Sequence, residues 1–307
     1  MALAALSTAA PPTADQEPPQ RRRSGIALVL LLPGVLYLVL FFLTPLISLI
    51  ITSFQTPVEG GDIGQYQTAF QWSNYTTAIA EYWPQIIRSF VYAIIATAAA
   101  LVISYPLAYF IGVKVRRYPL VQNLLMTLVI APFFISFLLR TLAWKQLLSD
   151  DSWFTTSLKA LSILPPDAHL TGTPFSVIFG LTYNFIPFMT LPLYATLERL
   201  DVRYLEAGTD LYASSWTTFR TITLPLSMPG IVSGTLLTFI PAAGDYINAS
   251  QDFLGAADTS MIGNVIESNF LVLQDYPTAA AMSVVLMAVI LVIVAAYVRR
   301  SGTEDLL

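Results

Sequence analysis

Asp201 to Ile231, DVRYLEAGTDLYASSWTTFRTITLPLSMPGI, is a polar interruption of about thirty residues between long apolar runs, and it decides how the rest of the chain is arranged. Asp201 precedes a helical run, where its carboxylate can accept from an orphan backbone N–H, so a short helix is predicted to about Leu211. A second helix is predicted from Ser214 or Ser215, either of which can cap it. It should pass Phe219 and Ile222 and stop at Leu224-Pro225, since proline lacks the helical N–H and crowds the preceding turn. Two short helices joined by a turn make a compact knob between two apolar segments.

Those flanking segments belong to a chain that is 55% hydrophobic and only 11% charged over 307 residues. Soluble domains average about 25% charged residues, so this composition places the chain in a bilayer. Zero cysteines exclude a disulfide framework, a thiol nucleophile and thiolate-ligated metal. With one histidine, His169, a zinc site or histidine-based catalysis has little to stand on. His169 reads as a loop residue.

Working outward, residues 1–25 are rich in Ala, Pro, Ser and Thr, a composition that cannot bury enough apolar surface to offset ordering entropy, and they read as a disordered tail. Arg21-Arg22-Arg23 then precedes an apolar run from Ile26 to Ile51 that is too long for a signal-peptide core and lacks a cleavage site. It reads as a first membrane span. Five more follow at about Gln85–Val113, Leu120–Leu142, Pro174–Leu197, Ser227–Ala249 and Thr278–Val298, each close to the roughly 20 residues a helix needs to cross. The expected fold class is all-α, polytopic, with six transmembrane helices over 26–300, the knob loop at 198–230 and a short tail at 301–307.

Six spans put both termini on one side, and the positive-inside rule selects which. Arg21, Arg22, Arg23, Lys114, Arg116, Arg117, Arg199, Arg203, Arg220, Arg299 and Arg300 fall on the side of the knob, against Arg88, Arg140, Lys145 and Lys159 on the other. Both termini and the knob are therefore expected in the cytoplasm. Ten acids face outward, among them Glu81, Asp150 and Asp252, making the outer mouth a weak cation attractor, although outer loops lose Lys and Arg through topology alone. The first outer loop, Thr52–Pro84, gathers Tyr66, Trp72, Tyr75, Tyr82 and Trp83, a composition that suits an interfacial belt or a lid. Asn74-Tyr75-Thr76 fits a glycosylation sequon, a pattern too short to carry an assignment.

The pattern Glu206-Ala207-Gly208, Asp210-Leu211, Ala213-Ser214, Phe219, Leu224-Pro225 and Pro229-Gly230 resembles the EAA motif of ABC importer permeases, the membrane subunits of ATP-driven uptake systems. One position departs from that motif, since the family usually places glycine where this chain has Tyr212; the turn must bear left-handed strain or take another geometry. Further stretches are similar to the spermidine/putrescine branch: Ser104-Tyr105-Pro106-Leu107-Ala108-Tyr109-Phe110, Ala131-Pro132-Phe133 through Arg140-Thr141-Leu142-Ala143-Trp144, and Gly244-Asp245-Tyr246. Thiamine and iron permeases share parts of this pattern. The resemblance covers roughly Ile26 to Val298 and implies a type I ABC importer permease fold in a bacterial inner membrane. It implies that Glu206, Ala207, Gly208, Asp210 and Leu211 couple the chain to a cytoplasmic ABC ATPase dimer. It also implies a second homologous permease and an extracytoplasmic substrate-binding protein, with lipid around the spans and no nucleic acid.

The chain carries no phosphate-cradling Gly-x-x-x-x-Gly-Lys-[Ser/Thr], and none of its lysines follows a glycine. No cofactor is expected on this chain; ATP and magnesium belong to the partner ATPase. A gradient-driven secondary transporter is the competing class, but such a protein has no use for the knob. Pro241 and Gly244 are expected to break the fifth span and leave Asp245 within it, facing a cavity. Tyr183-Asn184-Phe185-Ile186-Pro187-Phe188 offers a second proline-interrupted segment. Asp245 and Tyr246, with Tyr183, Phe188 and Trp144, are candidates for a substrate pathway, because aromatic faces beside a carboxylate suit an alkyl-ammonium ligand. An Asp245–Arg140 ion pair, a solvated Asp245 and plain packing of the aromatics are the competing readings.

Overall fold

A computed structural model describes residues 25–300. The predicted N-terminal tail with Arg21-Arg22-Arg23, and residues 301–307, lie outside the described residues. The chain divides into two compact units, Met1–Ser48 and Leu49–Leu307. In the first, helix α1 (Gly25–Leu38) passes through a wider π-type turn, Val39–Leu43, into α2 (Thr44–Thr52). Its side chains from Leu30 onward are nearly all apolar, as befits a helix long enough to cross hydrocarbon.

In the second unit a short hairpin, β1 (Thr56–Pro57) with β2 (Tyr66–Gln67), leads to α3 (Ser73–Tyr109), which ends in another π-type turn, Phe110–Lys114. α3 starts twelve residues before the predicted span, so the outer loop is correspondingly shorter. Its aromatics pack on one another: Phe54 stacks on Phe70 at 4.7 Å, and Trp72 on Tyr75 at 5.2 Å. Asn74, the sequon residue, donates to Ser53 O and Gln55 O and so closes the loop.

The third predicted span is broken. α4 (Pro119–Ile130) narrows into a 3-10 turn, Ala131–Phe134, and α5 (Phe137–Leu148) leaves after extended Ile135 and Ser136. The two arms, Pro119–Phe134 and Phe137–Ala160, are bent by 93°. Pro132, without an N–H, cannot complete the α-helical ladder there, and the chain turns instead. Arg140 therefore sits within α5, buried, and Lys145 lies on the same helix, rather than in an open outer loop. α6 (Trp153–Ala160) follows.

α7 (Pro174–Arg199) has a proline at its first position and a Thr173–Ser176 capping box, and it runs unbroken through Pro187 and Pro192. The expected interruption at Pro187 is absent. Hydroxyls add bonds beside the two prolines: Thr190 and Ser104 both donate to Ile186 O, and Thr196 donates to Pro192 O.

α8 (Val202–Asp210), α9 (Ser215–Thr218) and α10 (Leu224–Leu226) form the knob, and α11 (Met228–Ala243) leaves it at 65°. The predicted stop at Leu224-Pro225 is not observed. A π-type turn, Phe219–Thr223, lets Leu224 N–H reach Phe219 O just before the proline, and the wider turn carries the helix on to Leu226. The predicted break at Pro241 is also absent. α11 passes through that residue and stops at Gly244, which leaves Asp245 beyond the helix rather than within it. α12 (Ile262–Leu271) and α13 (Tyr276–Arg300) complete the unit.

α3, α7 and α11 make the core. Ala93, Ala96, Ala100, Ser104 and Ala108 give α3 a buried stripe of small side chains against α7, the device by which helices approach closely where lipid removes any hydrophobic drive. Met189, Leu193 and Leu197 of α7 and Ile231 of α11 fill the end nearest the knob, and Ile86, Ile262, Val265 and Met282 fill the opposite end. Among the described residues four helices are long and apolar enough to cross a membrane alone, and up to six crossings result when each bent pair counts as one. The architecture is thus the all-α polytopic one, with two of the six spans bent.

Candidate functional site

Two regions carry the residues singled out in the sequence. The first is the knob. Asp201 Oδ1 accepts from Arg203 N–H at 3.0 Å and caps α8, and Ser214 Oγ accepts from Thr217 N–H at 3.1 Å and caps α9. Gly208 is the pivot between them. A Cβ there would stand 2.9 Å from Thr218 Oγ1 and 3.1 Å from its Cγ2, so only glycine lets α8 lie this close to α9. The link is tied by Leu211 N–H to Ala207 O and Ala213 N–H to Gly208 O. Tyr212 has φ +55°, so the turn keeps the left-handed geometry and bears its strain, about 1–2 kcal/mol for a residue with a Cβ. Its ring is almost wholly exposed, and Leu211 is 80% exposed beside it. Glu206, Ala207 and Asp210 are exposed on α8, with Tyr204 and Trp216 nearby. The knob is therefore held from within by Gly208, Thr218 and Ile222, while its outward face is apolar with carboxylates.

The second region is built on a buried polar chain. Asp245, only 7% exposed, accepts from Asn248 twice: the backbone N–H reaches Oδ2 at 2.8 Å and Nδ2 reaches Oδ1 at 3.1 Å. Asn184 Nδ2 of α7 donates to Asn248 Oδ1 and to Thr141 Oγ1 of α5, each at 3.2 Å. Asp245 is thus neither solvated nor ion-paired with Arg140; among the described residues ion pairs are confined to Asp150 with Lys159 and His169. The Arg140 guanidinium stands 5.7 Å from the Phe137 ring, with Nε and Nη1 buried and unpartnered.

Of the aromatic candidates, Trp144 and Tyr183 come together, edge to face at 5.1 Å, and Trp144 also meets Phe179 at 4.7 Å. Phe188 pairs with Phe133 at 4.9 Å and with Phe185 at 5.8 Å. Tyr246 is half exposed and joins neither group; its carbonyl accepts from Asn264 Nδ2 at 2.6 Å. Asn184 and Asn248 were not singled out from the sequence, yet they connect everything around Asp245. A buried asparagine inside an apolar segment was the available signal.

Helices long and apolar enough to cross a membrane pack around a close core, and a capped knob projects between two of them, which is the architecture of a polytopic membrane protein. Residues 104–301 match the model of the binding-protein-dependent transport system inner membrane components, and the chain belongs to that family. It is 38% identical over 86% of its length, and 94% of the relative's, to the spermidine/putrescine transport system permease protein PotB of Escherichia coli K12. The protein of the same name from Haemophilus influenzae is 34% identical over 86% of this chain and 90% of its own. The E. coli K12 inner membrane ABC transporter permease protein YdcU is 31% identical over 72% of each chain. A bacterial ABC transporter involved in the import of the acidic polysaccharide alginate shares the fold, with a TM-score of 0.65 at 17% identity, over 92% of this chain and 96% of that one.

Proposed function

We propose that this chain is a permease subunit of an ATP-driven importer of polyamines such as spermidine or putrescine, and that α8 and α9 are the part seated in a cytoplasmic ATPase. The carrying observation is the knob: Gly208 locks α8 on α9 while Glu206, Ala207, Asp210 and Leu211 are left on the outside, a rigid body built to be held by something else. The names borne by the relatives support the polyamine cargo. In this reading an ATPase dimer, binding ATP and magnesium itself, moves the segment Glu206–Ile222. A second homologous permease completes the channel, and an extracytoplasmic binding protein delivers the cargo. Both termini lie in the cytoplasm of a bacterial cell, and this chain hydrolyses nothing.

The pathway we assign to Trp144, Tyr183, Phe188, Asp245 and Tyr246. Ring faces attract an alkyl-ammonium through their quadrupoles, and the Asp245 carboxylate would add attraction in a medium that screens poorly.

The test is Glu206→Arg in the assembled importer. The complex should insert normally but transport labelled spermidine and putrescine at least tenfold more slowly; a normal rate would remove the coupling role. Uptake by cells lacking the chain, measured for spermidine, putrescine, thiamine and iron, should fall for the polyamines alone. Because the chain has no cysteine, Leu211→Cys also reports sidedness: a membrane-impermeant thiol reagent should label it only in inverted vesicles.

A further inference from the structure

Behind the knob lies a cavity of about 530 Å³, between the last turns of α3 and the inner sides of α8 and α9. Val113, Leu205 and Phe219 give it apolar walls, and Lys114, Arg116 and Arg117 line it with three cations and no carboxylate. None of the three has an acidic partner, because the ion pairs among the described residues lie elsewhere. Glu198 accepts from Tyr194 and Gln122, Asp201 caps α8, and neither carboxylate lines the cavity. Arg116 donates to Leu200 O at 2.9 Å, where it ties down the end of α7, and Lys114 stands 5.9 Å from the Tyr109 ring. Arg117 is exposed. Thr218, in the same wall, is 8% exposed with a hydroxyl that makes no hydrogen bond. Unpaired cations around a concave surface call for an anion from outside the chain.

The surroundings say which anion. The apolar span Ser73–Lys114 ends at this cavity, and the three cations cluster at that end, as basic residues do at a membrane surface. Directly after the cations come exposed Tyr118 and then Leu120, Leu124 and Leu128, spaced four apart along α4 and 86%, 60% and 60% exposed. That spacing makes one apolar lane on the helix, leading away from the charged cavity. A charged pocket continuous with an apolar lane fits an amphiphile and has no use for a free ion.

We propose that this cavity holds the phosphate headgroup of an anionic phospholipid, with its acyl chains along the Leu120–Leu128 lane. The lipid bridges α3 and the knob, so the membrane's anionic lipid content sets how firmly the knob is held. The proposal rests on the cytoplasmic placement of the knob made above, which the Leu211→Cys labelling tests separately.

The experiment measures binding of fluorescent phosphatidylglycerol to the purified importer, with phosphatidylcholine as the neutral probe. Lys114→Gln with Arg117→Gln should weaken phosphatidylglycerol binding about thirty-fold at low salt, roughly five-fold for each cation removed at a membrane surface. Arg116 is left intact because it supports α7. Arg299→Gln with Arg300→Gln, which removes the same charge at the end of α13, should leave binding within twofold. Equal weakening by both pairs would reduce the site to diffuse attraction and overturn the proposal. Displacement of the lipid by an equal concentration of glycerol 1-phosphate would also overturn it, by showing a site for a soluble anion. So would unchanged lipid binding accompanied by loss of the ATPase, which would make these cations a protein-docking surface.

Discussion

The knob and the Asp245 turn are both short interruptions between apolar helices, yet they dispose of their polar groups in opposite ways. In the turn, Asp245, Asn248, Asn184 and Thr141 are buried and bonded to one another. In the knob, Glu206, Asp210, Leu211 and Tyr212 point outward while backbone bonds, two caps and one glycine contact keep its shape. A buried polar group left unpaired costs about 1–3 kcal/mol, so the turn is satisfied from inside the chain except at Asn184 Oδ1, which has no partner. An exposed apolar surface such as Leu211 and Tyr212 is under no such demand and is free to serve a partner. Exposure, more than the residue types themselves, separates what supports the fold from what the fold presents.

The sharpest attack on this contrast is Gly208→Val. A Cβ 2.9 Å from Thr218 Oγ1 must push α8 off α9, at about 1–3 kcal/mol for overpacking. The spans should still insert, while transport by the assembled importer falls more than tenfold and the ATPase no longer co-purifies. Near-normal uptake would mean that the knob's internal packing does not matter.

Asp245→Asn attacks the other side. It leaves an acceptor for the Asn248 N–H but sets two amide groups against each other, which should lower stability by about 1–3 kcal/mol, read as a lower Tm of the complex. Adding Asn248→Asp reverses the pair and restores its side-chain bonds, with the new carboxylate accepting from both residue 245 and Asn184. Stability should return while polyamine uptake stays at least fivefold low, if the negative charge is needed at position 245. Recovery of uptake together with stability would make Asp245 a structural residue only.

The smallest effect belongs to Tyr212→Gly. Relief of left-handed strain is partly offset by glycine's extra freedom in the unfolded chain, for a net gain below about 1 kcal/mol. Slower amide exchange at Leu211 and Ala213 with unchanged transport is the expected result. Lost transport would show that the exposed Tyr212 ring is itself part of the docking face.

The places where sequence reasoning held and failed have a common cause. Helix caps were legible at Asp201 and Ser214, because capping is a contest between neighbours in the chain. Prolines misled. Pro187, Pro225 and Pro241 read as breaks, yet helices run through Pro187 and Pro241, and at Pro225 a wider turn carries the helix on to Leu226. The larger bend, 93°, came after Pro132, and the smaller, 65°, came at Ser227, just past Pro225. A proline states only that one N–H is missing; whether the chain bends there depends on how the surrounding helices pack.

By itself the sequence determined the membrane class, the approximate helices and the position of the knob, since these follow from apolar run length, charge bias and local capping. Only the tertiary structure decided that Asp245 turns inward onto Asn248, that Trp144 meets Tyr183 and that Lys114, Arg116 and Arg117 surround a cavity behind the knob. Periodicity and propensity act within a few residues along the chain. The groups that satisfy a buried carboxylate or gather three cations are brought together by helix packing, which no local pattern records.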